Sequence, residues 1–87
     1  MCCMEKIASC EISFIPVSSA DYIGDVDKVI EMIHNSGLEN QVGALSTFVR
    51  GERSRVIKLI TEIYEKMDDV TNFTMDIKIS NICGCAQ

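Results

Sequence analysis

The sequence has no long apolar run, and this absence limits the classes of protein that it can encode. Within 87 residues, no apolar stretch approaches the roughly 20 residues of a membrane-spanning helix. Residues 1–6 contain neither the basic region nor the apolar stretch of a secretory signal, so we expect a cytoplasmic protein without membrane insertion. The chain is too short for a Rossmann unit or a kinase core. With one proline and 47% hydrophobic residues, residues 1–87 are predicted to form a single globular domain.

Basic residues are scarce, which argues against nucleic acid as a partner. The chain has 8 lysines and arginines against 13 aspartates and glutamates, a net charge of −5, whereas nucleic-acid binding generally needs a net basic surface. Catalytic signatures are missing as well, since the sequence contains no P-loop, GxGxxG or HExxH motif. The single histidine, His34, has no nucleophile at motif spacing. The motifs therefore indicate no particular reaction, and no cofactor is expected.

Hydrophobic periodicity divides the chain into six elements. Alternating apolar residues predict strands, and apolar residues three and four positions apart predict helices. The predicted elements are a strand at 7–17, a helix at 21–36, a weak strand at 39–42, a strand at 45–50, a helix at 52–67 and a strand at 73–82. This order is that of the ferredoxin-like α+β fold, βαββαβ, with a four-stranded antiparallel sheet in the order 4-1-3-2 and two helices on one face.

Local signals place the ends and faces of these elements. Pro16 and Gly51 are predicted to end the first and third strands, and Gly37 is placed for a left-handed C-cap of the first helix. On that helix, Ile23 is assigned to the apolar stripe and Asp25 to the solvated face. The second face of the sheet has no helix to cover it, so it must meet solvent, a ligand or another subunit.

Cysteine is absent from the middle of the chain and concentrated near its ends. Because the fourth strand would run antiparallel beside the first, its end would lie near the start of the first strand. The converging thiols would suit a thiolate site for zinc or an iron–sulfur cluster, or a redox pair, although their spacings differ from the usual C-x2-C. The alternative is a set of reduced thiols at frayed chain ends. The cysteines are Cys2, Cys3, Cys10, Cys83 and Cys85.

Basic residues gather where the second helix is predicted to begin, and they leave two interpretations open. The residues are Arg50, Arg53, Arg55 and Lys58. A helix N-terminus beside arginines can bind phosphate. The alternative is a solvated helix face that pairs with acidic neighbours.

Three stretches resemble one known family. The sequence EISFIPV at 11–17, followed by Asp21 and Tyr22, resembles the opening strand and helix of the YkoF-like family, whose members bind thiamine and its hydroxymethylpyrimidine moiety. The sequence LSTFVRG at 45–51 is similar to the S-T-x-x-x-G strand of that family, and residues 75–83 resemble its last strand. The resemblance implies a ferredoxin-like fold, binding without catalysis and assembly through the sheets. Better-known members carry two such domains, so a single-domain chain is expected to form a homodimer or homotetramer.

The chemistry of thiamine indicates which side chains could bind it. The flat aminopyrimidine needs a stacking surface and hydrogen-bonding groups, and the thiazolium cation favours a nearby carboxylate. Aromatic rings and hydroxyl groups in the matching segments meet these needs, with Asp76 or Glu11 as the carboxylate. The candidate ligand-binding residues are Ser13, Phe14, Tyr22, Ser46, Thr47, Phe48 and Asp76.

Alternation along the third strand leaves the face of the pocket open. Residues 45, 47 and 49 share one face, and residues 46, 48 and 50 share the other. A pocket between sheet and helices would use one set, whereas a pocket between two sheets would use the other.

The sequence therefore favours a non-enzymatic, homo-oligomeric binding protein for thiamine or hydroxymethylpyrimidine. Such a protein could buffer the ligand or serve a thiamine transport system, and the sequence does not choose between these roles. A thiolate metal-binding or redox protein that uses the terminal cysteines is the second hypothesis. A purely structural or regulatory oligomerisation domain is the third.

Overall fold

Within residues 6–82, the fold contains four strands that form a sheet and two helices that cover one face of it. We describe it from a computed structural model, in which residues 6–82 are described. The elements are β1 (Ile7–Val17), α1 (Tyr22–Asn35), β2 (Glu39–Val42), β3 (Thr47–Glu52), α2 (Arg53–Asp68) and β4 (Asn72–Ser80). Neither helix is long and apolar enough to cross a membrane.

The four strands form one antiparallel sheet in the order β2-β3-β1-β4. This confirms the predicted ferredoxin-like arrangement. Even-numbered residues of β1, such as Cys10 and Ile12, are buried beneath the helices together with Val49 of β3. From α2, Val56 and Ile63 complete this core. The other face of the sheet carries the odd-numbered residues of β1, because successive side chains of a strand point to opposite faces.

Helix α1 begins and ends where capping chemistry allows it. The side chain of Asp21 accepts a hydrogen bond from the backbone N–H of Gly24 at 3.1 Å, and so satisfies one of the open donors of the first turn. Beyond the other end, Gly37 has φ of 77°, which confirms the predicted left-handed position.

The faces assigned to two residues of α1 were wrong. Asp25 is buried and Ile23 is 73% exposed. The buried residues of this helix, Asp25, Val29 and Ile33, repeat every four positions. At 3.6 residues per turn, Ile23 lies about 200° away from Asp25, on the outer side. The hydroxyl of Ser19 donates to the Asp25 carboxylate at 2.5 Å, which makes its burial tolerable.

Both predicted ends of the third strand were also wrong, and Pro16 does not end the first strand, which stops at Val17 as its predicted range has it. Strand β3 begins two residues later than predicted and continues through Gly51 to Glu52. Gly51 is needed inside the strand because the side chain of Leu38 occupies the place that a Cβ would take. Strand β1 likewise passes through Pro16, which pairs with Phe73 of β4.

Candidate functional site

A cavity lies where β1 extends beyond its neighbour β3. The pairing of β1 with β3 ends at Ile12, opposite Thr47, whereas its pairing with β4 continues to Val17. Helix α1 covers this end of the sheet, and the turn from Gly43 to Ser46 forms one side. The resulting space has a volume of about 370 Å³, within the range of small-molecule sites.

The lining of the cavity is largely apolar, and none of its described residues is charged. Helix α1 contributes Val26, Val29, Ile30 and Ile33, and β1 contributes Ile12. No aspartate, glutamate, lysine, arginine or histidine of the described part of the chain lines it. The cavity can therefore take a planar, neutral group, and it offers nothing to offset the desolvation of an ion.

Three residues that carry hydroxyl groups line the cavity at the side nearest the turn. Ser13 donates to the carbonyl of Leu45 at 3.2 Å, and Ser46 donates to the Glu11 carboxylate at 3.2 Å. Thr47 is 8% exposed, and its hydroxyl has no hydrogen-bond partner within residues 6–82. A bound molecule could satisfy this hydroxyl without breaking an existing hydrogen bond.

Five of the seven candidate residues line the cavity. They are Ser13, Phe14, Tyr22, Ser46 and Thr47. Tyr22 is half-exposed at the start of α1. The ring of Phe14 also packs against Phe73, with 4.9 Å between ring centroids, so part of its surface serves the core.

Phe48 and Asp76 lie elsewhere. Phe48 is opposite Glu11 and Asp76 is opposite Ser13, on the face of the sheet away from the helices. The sequence did not show which face of the third strand meets the helices. Thr47 and Val49 are buried on the helix side, so their face belongs to the core.

Apart from Tyr22, the residues of α1 that line the cavity were not among the candidates. Their helical spacing reads as a core stripe, and the sequence carries no signal that part of this stripe faces empty space. The turn residues Gly43 and Ala44 were missed for a related reason, because their place beside β1 depends on where β3 begins.

The cysteine hypothesis finds little support in the part of the chain that is described. Cys10 is buried, and burial, followed by the Glu11 charge, raises the pKa of its thiol to about 11. Such a thiol stays protonated near neutral pH and is a poor metal ligand. Across residues 6–82, no three side chains of His, Cys, Asp or Glu are grouped to hold a metal.

The predicted approach of the end of β4 to the start of β1 is nevertheless confirmed. Ser9 of β1 pairs with Ser80 of β4, and its hydroxyl donates to the carbonyl of Ile82 at 3.1 Å. The other four cysteines, Cys2, Cys3, Cys83 and Cys85, lie outside the described residues.

Two of the basic residues near the start of α2 have structural partners. Arg50 pairs with Glu39 at 2.8 Å. Arg55 donates to the backbone carbonyl of Ser36 at 2.8 Å and thus stabilises the end of α1. These contacts favour the structural interpretation over a phosphate site.

Comparison with known families gives a direct match. The sequence pattern of the family described as thiamine-binding protein matches residues 10–84. The chain belongs to the thiamine-binding protein family. This confirms the family that the sequence resembles. Curated proteins give no match.

Solved structures share the fold. A Thermotoga maritima protein, named for a proposed role in thiamine biosynthesis or salvage, is 22% identical over 93% of this chain and 89% of its own, with a TM-score of 0.77. A domain of unknown function from Bacillus cereus is 25% identical over 93% and 81%, with a TM-score of 0.79. A hypothetical protein from Methanocaldococcus jannascii is 23% identical over 93% and 86%, with a TM-score of 0.77.

Proposed function

We propose that the protein binds thiamine or its hydroxymethylpyrimidine moiety in the cavity beside β1, without chemical conversion. The observation that carries this proposal is the uncharged apolar cavity with hydroxyl groups on one side, in a chain of the thiamine-binding protein family. The aminopyrimidine ring would enter between α1 and β1. The hydroxyl of Thr47 and the ring of Tyr22 are the groups best placed to meet it.

Charge supports a neutral or cationic ligand over a phosphorylated one. Within residues 6–82, the lining contains no cation to pair with a phosphate, and the protein carries a net charge of −5. A thiazolium cation would remain at the open mouth, where it keeps contact with water and is attracted by the overall negative charge. A diphosphate on the same ligand would be repelled.

The lining also supports binding rather than catalysis. General acid–base chemistry needs a titratable side chain within hydrogen-bonding distance of the reacting group. Among the hydroxyls of the described lining, only that of Ser46 donates to a carboxylate, and this carboxylate belongs to Glu11, which does not line the cavity.

Assembly through the sheets is the second part of the proposal. The helix-free face of the sheet presents the half-buried Phe48 and the exposed Ile15 among polar residues. A second copy packed on this face would cover both side chains, as expected for a single-domain member of the family that acts as a homodimer or homotetramer in the cytoplasm.

Isothermal titration calorimetry tests the ligand. Hydroxymethylpyrimidine and thiamine should both bind, and thiamine diphosphate should bind at least about tenfold more weakly, because its phosphates find no paired charge. Failure of all three to bind at millimolar concentration would reject the proposal. Tighter binding of the diphosphate would show that the cavity is not the site.

A further inference from the structure

The backbone of β1 carries hydrogen-bonding groups beside the cavity, and their direction follows from the pairing of the sheet. In an antiparallel ladder, hydrogen-bonded and non-hydrogen-bonded pairs alternate. The N–H of Gly43 donates to the carbonyl of Ser46 at 2.9 Å, which makes these two residues a bonded pair in the β2–β3 hairpin. Bonded pairs recur at every second residue, so Phe48 and Arg50, which are two and four residues after Ser46, also direct their backbone groups toward β2.

Odd-numbered residues of β3 therefore direct their backbone groups toward β1. Arg53, the odd-numbered residue directly after β3, agrees with this assignment, because its N–H donates to the carbonyl of Lys6, next to β1, at 2.9 Å. The even-numbered residues of β1 are thus the bonded partners of β3, ending with Ile12 opposite Thr47. The pairing of β1 with β4 continues without a break to Val17, so the alternation holds along all of β1.

Phe14 is the next even-numbered residue, and it has no strand beside it. The continuing register would place Leu45 opposite Phe14, but Leu45 lies in the turn and is 89% exposed. Within the described residues, no hydrogen bond joins the backbone of Phe14 to segment 43–46. The carbonyl of Leu45 accepts instead from the hydroxyl of Ser13. The N–H and C=O of Phe14 therefore face the gap that forms the cavity.

Pro16 limits what can pair with this open edge. It occupies the following even-numbered position, where a backbone N–H would also point into the gap, and proline has none. A peptide strand added here would find one donor and would then meet the proline ring. The edge consequently suits a small molecule rather than an added strand.

We propose that the backbone N–H and C=O of Phe14 recognise the ligand by pairing with an edge that carries an acceptor next to a donor. This inference rests on the proposed function and specifies its chemistry. A 4-aminopyrimidine has such an edge, because a ring nitrogen accepts beside an amino group that donates. Two hydrogen bonds would fix the ring in the plane of the sheet, with the apolar residues of α1 above it. The thiazolium ring has no such edge, so the protein would recognise this half of thiamine less specifically than the aminopyrimidine half.

Amide hydrogen exchange measured by NMR tests the pairing directly. In the free protein, the Phe14 amide should exchange fast, whereas the Ser13 and Ile15 amides should be protected by β4. Saturation with hydroxymethylpyrimidine should slow exchange at Phe14 by about tenfold or more, and should leave Ser13 and Ile15 little changed. Binding seen by calorimetry without protection at Phe14 would overturn this inference and leave the proposed function intact. Absence of binding would overturn both.

A backbone substitution gives a matched pair of variants. Phe14→phenyllactic acid, introduced by nonsense suppression, replaces the amide N–H by an ester oxygen and keeps the side chain. It should weaken hydroxymethylpyrimidine binding by about tenfold. Stability should fall only through the Ser13 carbonyl, which is directed to β4 and becomes a weaker acceptor in the ester, because the Phe14 N–H itself has no partner in the sheet. The corresponding hydroxy acid at Lys78, a residue of β4 that pairs with Glu11 and does not line the cavity, removes an N–H directed to β1. It should lower the unfolding midpoint and leave affinity unchanged. Equal affinities in the two variants would refute the role of Phe14.

Discussion

At the scale of single residues, Thr47 is largely buried, but its hydroxyl keeps some exposure and has no partner in the described structure. Thr47→Val keeps the branched shape and removes the hydroxyl. We expect thiamine affinity to fall by about 1–3 kcal/mol, because a polar group of the ligand loses its partner. The free energy of unfolding should change little or increase slightly. Calorimetry and urea denaturation measure the two effects.

The control for this variant is Thr74→Val, an exposed threonine on the helix-free face of β4. It should change neither affinity nor stability by more than about 0.5 kcal/mol. Unchanged affinity in folded Thr47→Val would remove Thr47 from the site.

Asp25 illustrates how a buried carboxylate stabilises the start of a helix. It accepts hydrogen bonds from Ser19 at 2.5 Å and from Lys28 at 3.5 Å. Asp25→Ala should lower the free energy of unfolding by about 1–3 kcal/mol, because the Ser19 hydroxyl is left without its acceptor. Asp27→Ala, at an exposed position of the same helix, should cost far less. Equal losses in urea denaturation would contradict the importance of the buried contact.

The raised pKa of Cys10 predicts that the stability of the fold depends on pH in the alkaline range. Its pKa is raised in the folded state from 9.0 to about 11, mainly by burial, so the folded protein holds the proton more tightly than the unfolded chain. The associated stability is present below pH 9 and is lost as the pH rises through about 11. In reducing buffer, Cys10→Ala should show a shallower decline over this interval. Parallel declines would show that other groups cause the effect.

At the scale of elements, Gly51 ties β3 to the segment that follows α1. The side chain of buried Leu38 occupies the space beside its Cα. Gly51→Ala should therefore lower the free energy of unfolding by about 1–3 kcal/mol through overpacking. In the double variant with Leu38→Ala, the added methyl group should find room. The double variant should lose less stability than the sum of the two single variants, and strict additivity would argue against the steric contact.

The start of β3 shows where prediction from the sequence succeeded and where it stopped. Alternation and helical spacing correctly predicted the six elements and their order, because both patterns record which residues meet a common core. The same alternation placed the start of β3 at Leu45, and a strand from that residue would have paired with Phe14 and filled the gap. The observed turn keeps Leu45 out of the strand and opens the cavity.

The sequence allowed candidate side chains to be predicted, but it did not reveal the gap beside Phe14. Hydroxyl and aromatic residues are visible as letters, and five of them do line the cavity. A backbone donor is present at almost every position, so its significance appears once the missing neighbour is known. Asp25 escaped prediction because a charged residue was assigned to solvent, whereas the contact with Ser19 comes from outside the helix.

At the scale of the whole molecule, the two faces of the sheet differ in how they are covered. Helices bury one face, and the other mixes apolar side chains with charged pairs such as Arg50 and Glu39. Strand β4, from Asn72 to Ser80, also leaves one edge open within the described residues. Long open edges tend to pair with other chains, so two modes of self-association are available to the protein.

Packing through the helix-free face is the mode that we expect, and Phe48 tests it. Its ring lies near the centre of that face, opposite Glu11 and Gln41 on the neighbouring strands. Phe48→Asp would place a charge against the second copy and should convert the protein to a monomer at micromolar concentration, as measured by light scattering. Ile57→Asp changes a residue of similar character on the exposed side of α2 and should leave the mass unchanged. A wild-type protein that is monomeric at this concentration would reject assembly in either mode. A Phe48→Asp variant that keeps the wild-type oligomeric mass would contradict assembly through the helix-free face and would favour assembly through the edge of β4.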